Sequence, residues 1–170
     1  MIYLIIILAV ISRFIPHMPN FAPITAIAIF ASFYFGWKKA LGLTFMVRFI
    51  SDLFLGFVAW PMLVAIYASH LVGVLFGSWI KQSKQARWVK IFTSSFGASA
   101  IFFLVTNFAF LYTNYSHNWA GILASYVNGL PFLRGTVFGD LFYSVALFGS
   151  YSLIQNYFFH KQKMHPVLVK

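Results

Sequence analysis

The chain has 170 residues, 61% of them hydrophobic and only 8% charged, far from the roughly one-quarter charged residues of a soluble domain, so it reads as an integral membrane protein with no room for a soluble domain. Two acids against twelve lysines and arginines give a formal net charge of +10, a balance that suits nucleic acid, anionic lipid or an anionic substrate, and the placement of the cations decides among them. Cysteine is absent, which excludes disulfides and thiolate chemistry and leaves the redox compartment unspecified.

A membrane-spanning helix needs about 20 mostly apolar residues, and fewer where it stops at an embedded loop. Six candidate spans follow in order: Ile2 to Ile15, Phe21 to Trp37, Ala40 to Trp60, Pro61 to Ile80, Ile91 to Tyr112, and Leu133 to Phe158. The first begins MIYLIIILAVIS, which has neither a basic leader nor a small-residue cleavage site and is taken as mature sequence. The stretch RFIPHMPNFAPITA, from Arg13 to Ala26, interrupts the first two spans with three prolines. Each proline fixes φ and removes a donor, so this stretch is expected to form an ordered loop dipping into the outer face. Asn118 to Arg134 is too short and too rich in small residues to cross, and is expected to be an interfacial or re-entrant segment before the last helix.

Basic residues in short loops set orientation. Lys38 and Lys39 follow the second span; Lys81, Lys84, Arg87 and Lys90 lie between the fourth and fifth; Lys161, Lys163 and Lys170 are in the tail. The expected architecture is therefore an all-α bundle of six transmembrane helices forming a single domain over residues 1–170, multi-pass in the inner cell membrane, with both termini cytoplasmic. These loop cations are read as orientation signals and contacts with anionic lipid. No basic groove interleaved with aromatics speaks for nucleic acid.

The remaining cations are Arg13, Arg48 and Arg134, and both acids, Asp52 and Asp140, fall inside predicted helices. Charge at membrane depth is costly unless it is paired or faces water. Arg48 and Asp52 are four residues apart on one helix face and form a candidate structural ion pair. The rise of 1.5 Å per residue places Arg13, Asn107, Asp52 and Asp140 in one outer-half layer. His17 and Asn20 in the loop, Arg134 above Asp140, and Asn128 on the outer segment complete the candidate solute site. His70, near the middle of the fourth helix, is expected to be packed or hydrogen-bonded. Against this stands a purely structural use of the same charges to pin the bundle.

The pairs Ala22 with Ala26, Ala28 with Ser32 and Gly36, Gly73 with Gly77, and Gly135 with Gly139 are expected to let helices approach closely within the bundle. Ser51-Asp52-Leu53-Phe54 and Gly139-Asp140-Leu141-Phe142 form a short echo, too brief to establish an inverted repeat. No phosphate loop occurs, and with no glutamate there is no H-E-x-x-H zinc site. Gly97-Ala98-Ser99-Ala100 faintly resembles an intramembrane serine-protease nucleophile motif, but the last predicted helix has no histidine to act as base. An enzyme is not expected, nor a cofactor or metal.

Arg13-x-x-Pro16-His17-x-x-Asn20-Phe21-x-Pro23-x-x-Ala26, Ser51-Asp52, Thr106-Asn107-Phe108, Leu130-Pro131-Phe132 and Gly139-Asp140 together resemble a bacterial family of transport proteins. That family is similar to the substrate-binding S components of energy-coupling-factor vitamin transporters. The resemblance covers nearly the whole chain and is most specific in its first motif. It implies a six-helix bundle that binds a vitamin-like micronutrient in an outward-facing pocket, with a transmembrane T component and ATPase subunits as partners supplying the power. In such proteins the first helices dock on the T component through small residues, a part Ala22, Ala26 and Ala28 would play here. The competing expectations are a small assembly subunit with structural buried charges, and a stand-alone proton-coupled carrier using Asp52 or Asp140.

Overall fold

The computed structural model describes residues 2–16, 18–82 and 87–164. Among these residues there are helices and loops and no strand. We number the α-helices α1 (Ile2–Ile11), α2 (Ile24–Phe35), α3 (Trp37–Leu55), α4 (Trp60–Lys81), α5 (Arg87–Thr106) and α6 (Trp119–Met164); short 3-10 turns occupy Ser12–Phe14 and Ala109–Leu111. Among the described residues three stretches are long and apolar enough to cross a membrane: Trp60–Lys81, Arg87–Thr106 and Trp119–Tyr157 of α6. The apolar α2 is shorter. At 19 residues α3 is long enough, but it carries Lys38, Lys39, Arg48 and Asp52.

Several expected boundaries move, each for a local reason. After α1 the chain makes its 3-10 turn and then a loop, and Pro23 caps the start of α2, its carbonyl accepting the Ile27 N–H at 2.8 Å. Gly36, at φ 85°, ends α2 and joins it directly to α3, which places Lys38 and Lys39 in the first turn of α3. Gly56, at φ 93°, stops α3 five residues after Ser51, its N–H bonded to the Asp52 carbonyl at 2.9 Å. The helix expected to reach Trp60 therefore ends at Leu55. Likewise α5 ends at Thr106 instead of Tyr112, and just beyond it the Asn107 backbone N–H and side-chain amide both donate to the Phe103 carbonyl, at 3.1 and 2.9 Å.

The largest departure is α6. The outer segment expected as a separate piece and the last span form one continuous helix of 46 residues. It starts at an Asn118 cap, whose Oδ1 accepts the Gly121 N–H at 2.9 Å. Pro131 lies inside it. A proline withdraws one N–H from the helical ladder but does not compel the helix to end, and its flanking residues here continue the turn.

At the centre lies α2. Every residue from Ile24 to Ser32 is buried, and α2 packs against α4, α3, α6 and α5. Small residues make that possible. A Cβ on Gly73 would lie 3.0 Å from Ala28 Cβ, and one on Gly77 would lie 2.7 Å from Ser32 Cβ and collide with the Ile29 carbonyl. Ser32 then ties the helices together, donating to the Val74 carbonyl at 2.6 Å and meeting Ser78 Oγ at 2.8 Å. The Ala22, Ala26 and Ala28 series thus includes two wholly buried positions inside the bundle, Ala26 and Ala28.

Gly135 and Gly139 receive a loop in place of the helix expected there. A Cβ at Gly139 would stand 3.0 Å from Phe21 Cα and 3.1 Å from Ala22 N, and one at Gly135 would strike the Pro19 carbonyl. The strip free of side chains on α6 seats the backbone of the loop before α2. Gly139 and Asp140 are therefore one device: the first residue admits the loop and the next places a carboxyl beside it.

Candidate functional site: a polar cavity at the start of α2

A cavity of about 390 Å³ opens at the N-terminal end of α2. Its polar lining comes from Arg13 after α1, Asn20 in the loop, Thr25 on α2, Arg48 on α3, His70 on α4, and Thr136 and Asp140 on α6. Ala22, Ile24, Leu55, Val58, Ile66 and Phe102 supply the apolar remainder. Such a volume, mostly apolar with a few convergent polar groups, is of the kind that encloses a small organic molecule.

Two arginines share one acid. Arg48 Nε donates to Asp52 Oδ2 at 2.7 Å, the pairing expected from their spacing. Arg13 Nη2 approaches Asp52 Oδ1 at 3.9 Å, and its Nη1 donates to Ser51 Oγ. Ser51 in turn donates to the Val47 carbonyl at 2.8 Å, so the hydroxyl is held in place by its own helix. Tyr67 OH reaches Asp52 Oδ2 at 3.5 Å. Asp52 is 2% exposed, and a carboxylate so deep is tolerated because cations and hydroxyls surround it.

Asp140 is equally buried, and its partners are hydroxyls: Ser99 Oγ donates to Oδ2 at 2.7 Å, and Thr25 also hydrogen-bonds the carboxyl. The serine that resembles a protease nucleophile is therefore engaged in holding this acid. His70 is the residue that sequence reasoning undervalued. It is buried and stacked on Phe102 at 5.7 Å between ring centroids, yet neither ring nitrogen has a hydrogen-bond partner among the described residues. Of the two alternatives expected for His70, packed or hydrogen-bonded, the structure shows the first: one face is packed and both nitrogens are unsatisfied. Nothing in a lone histidine's sequence neighbourhood signals this, because the absence of a partner is a property of the neighbouring helices.

A second cavity of about 350 Å³ adjoins the first, sharing Asn20, Val58, Ile66 and Phe102. Here the polar lining is uncharged: Asn107, Thr106, Tyr112, Tyr115, Ser125 and Asn128. Asn128 Nδ2 donates to Tyr115 OH at 3.1 Å. Gly129 lets the Asn107 side chain lie against the α6 backbone, since a Cβ there would overlap the amide.

Of the sequence candidates, Arg13, Asn20 and Asp140 thus line the first cavity, Asn107 and Asn128 line the second, and Asp52 stands behind the first as the anchor of its arginines. Arg134 is exposed on α6 and lines neither. His17 lies outside the described residues. Asn20 holds φ 62°, a left-handed conformation that asparagine accepts better than most residues, and it borders both cavities.

No curated protein and no solved structure matches this chain. A match over residues 1–165 does place it: the chain belongs to DUF6580, a family of unknown function.

Proposed function

We propose that this protein is a membrane subunit that captures a small solute, as the resemblance to S components of vitamin transporters implies. The observation carrying the reading is the first cavity, where the ionisable side chains of Arg13, Arg48, His70 and Asp140 converge from four separate segments. Assembling so many costly groups around one space is poorly explained by stability alone, because buried ion pairs are weak stabilisers.

In this reading the six helices thread the membrane with both termini cytoplasmic, and the half of α6 following Pro131 makes the last crossing. The 39 residues from Trp119 to Tyr157 would extend about 58 Å at 1.5 Å per residue, nearly twice the roughly 30 Å hydrocarbon core, so the first part of α6 belongs to the outer interface. Both cavities then face outward, with the uncharged one as an entrance. Power for release inward comes from a T component and ATPase subunits.

Three measurements test this. Mass spectrometry of the protein purified in mild detergent is expected to find a stoichiometric small molecule. Arg13→Ala and Arg13→Gln are expected to lose it while extracting as folded protein. An assembly subunit would instead carry no solute and lose partner proteins on the same substitutions, and a proton-coupled carrier would transport without an ATPase. Orientation is checked with single cysteines and an impermeant thiol reagent, since the chain has no cysteine of its own. Position 118 is expected to label from outside and position 84 from the cytoplasm; labelling of position 84 from outside overturns the threading.

A further inference from the structure

The cavity's donors and acceptors are out of balance. Each guanidinium presents a full fork of N–H donors and no acceptor, and the described acceptors facing Arg13 and Arg48 are Asp52 and Ser51. The described partners of Asp140, which lines the same cavity, are Thr25 and Ser99 and neither arginine. Across the same space His70, 4% exposed, leaves both ring nitrogens unsatisfied. Buried polar atoms without partners are unfavourable and call for an explanation. A neutral imidazole has one donor and one acceptor to offer, which suits a hydroxyl or a ring heteroatom on a ligand. The same cavity has an apolar wall that includes Ile24, Ile66 and Phe102, the last already stacked on His70.

We infer that the solute is a small organic carboxylate with a flat apolar body and a second hydrogen-bonding group, the carboxylate meeting Arg13 and Arg48 and the second group meeting His70. This rests on the solute-binding reading above and names the class of solute. Guanidinium suits a carboxylate because its planar fork matches the two oxygens, and a charge-assisted hydrogen bond in a dry site far exceeds its worth in water. The apolar wall excludes a bare inorganic anion as the best occupant, since such an ion would leave that wall and His70 without contacts.

The test uses the purified full chain in neutral maltoside micelles, with 2-, 3- and 4-hydroxybenzoate as probes, their amides as uncharged counterparts, and benzoate as the probe lacking the hydroxyl. At least one hydroxybenzoate is expected to bind about tenfold or more tighter than its amide, a difference typical of one charge-assisted hydrogen bond, and Arg13→Gln is expected to erase that preference. The same isomer is expected to bind tighter than benzoate, and His70→Phe is expected to erase that second preference while raising the apo Tm, because two unsatisfied atoms are removed. A merely structural histidine would instead lower the Tm on substitution and leave the hydroxyl preference intact, which overturns its assignment. Amides that bind as well as or better than the acids overturn the carboxylate but leave solute binding standing. Binding of neither set also overturns the carboxylate inference, and the co-purified molecule then decides the broader reading. Repeating the titration in nanodiscs separates free carboxylate from lipid: if phosphatidylglycerol displaces the probe and phosphatidylcholine does not, the cavity takes headgroups and the inference falls.

Discussion

The two ends of the bundle along α2 are built in opposite ways. At its start, Ile24 and Thr25 border open space lined by arginines, a histidine and a carboxyl. Toward its end, Phe30, Phe33 and Tyr34 pack with Phe148 and Tyr151 of α6, the Phe30 and Phe148 ring centroids 5.1 Å apart and those of Tyr34 and Tyr151 4.3 Å. The Arg87 guanidinium lies over the Phe33 ring at 5.4 Å, covering this packing where α5 begins. Edge-to-face rings at such distances fill space densely and leave nothing to hydrate. The same central helix thus serves a cavity with one end and a plug with the other. A molecule entering at the cavity end meets a closed floor, and onward passage requires helices to move relative to α2. A closed end of this kind supports the solute-capture reading proposed above over an open channel.

The largest expected effect falls at the cavity end. Asp52 is the acid shared by Arg13 and Arg48, so Asp52→Asn leaves two guanidiniums with no carboxylate between them. The expected loss of stability is about 3–5 kcal/mol, as when one partner of a buried pair is removed. Adding Arg48→Gln to the same chain should recover at least half. The check is reversible unfolding in mixed micelles for the two single variants and the double variant. If Asp52→Asn unfolds like the wild type, the arginines are hydrated and the cavity is no enclosed site.

A smaller effect is expected at the plug. Phe30 is fully buried, and Phe30→Ala opens a void among the rings. In a bilayer the unfolded helices stay in lipid, so most of the transfer term is absent and the void itself dominates, at about 2 kcal/mol. Solute affinity measured below the melting range should be unchanged. A variant that lost affinity as much as stability would mean the two ends are coupled through α2, and the comparison between them would need to be redrawn.

Much of the cavity end was legible in the sequence, because axial position along a helix follows from residue count. Counting put Arg13, Asp52, Asn107 and Asp140 at one level, and the structure brings Arg13 and Asp140 into one cavity, with Asp52 directly behind it and Asn107 in the adjoining space. The Arg48 and Asp52 pairing followed from their spacing in the same way. What counting misses is what depends on neighbours. The unsatisfied state of His70 depends on what the helices packed against α4 offer it, which its own helix does not disclose. The continuity of α6 through Pro131 was hidden because residues 118–134 were judged on length and small-residue content, and neither tells whether a segment runs on into the helix that follows. The Gly135 and Gly139 spacing announced a close approach correctly, but not that a loop would make it.

Arg134 gives the smallest expected effect and the sharpest use of the comparison. By depth alone it belongs with the site, six residues from Asp140 on the same helix. By direction it does not: at about 100° per residue those six steps carry it some 240° round α6, away from the face that Asp140 presents to the cavity. The structure agrees, leaving Arg134 exposed while Asp140 is buried. Arg134→Gln is therefore expected to bind the co-purifying solute as the wild type does and to melt at an unchanged temperature, whereas Arg13→Gln loses binding. Both variants remove one positive charge, so a general electrostatic attraction of an anion to a basic protein would weaken them alike. Equal losses in the two, measured by calorimetry at two salt concentrations, would assign the arginines to long-range attraction and take the cavity out of the explanation.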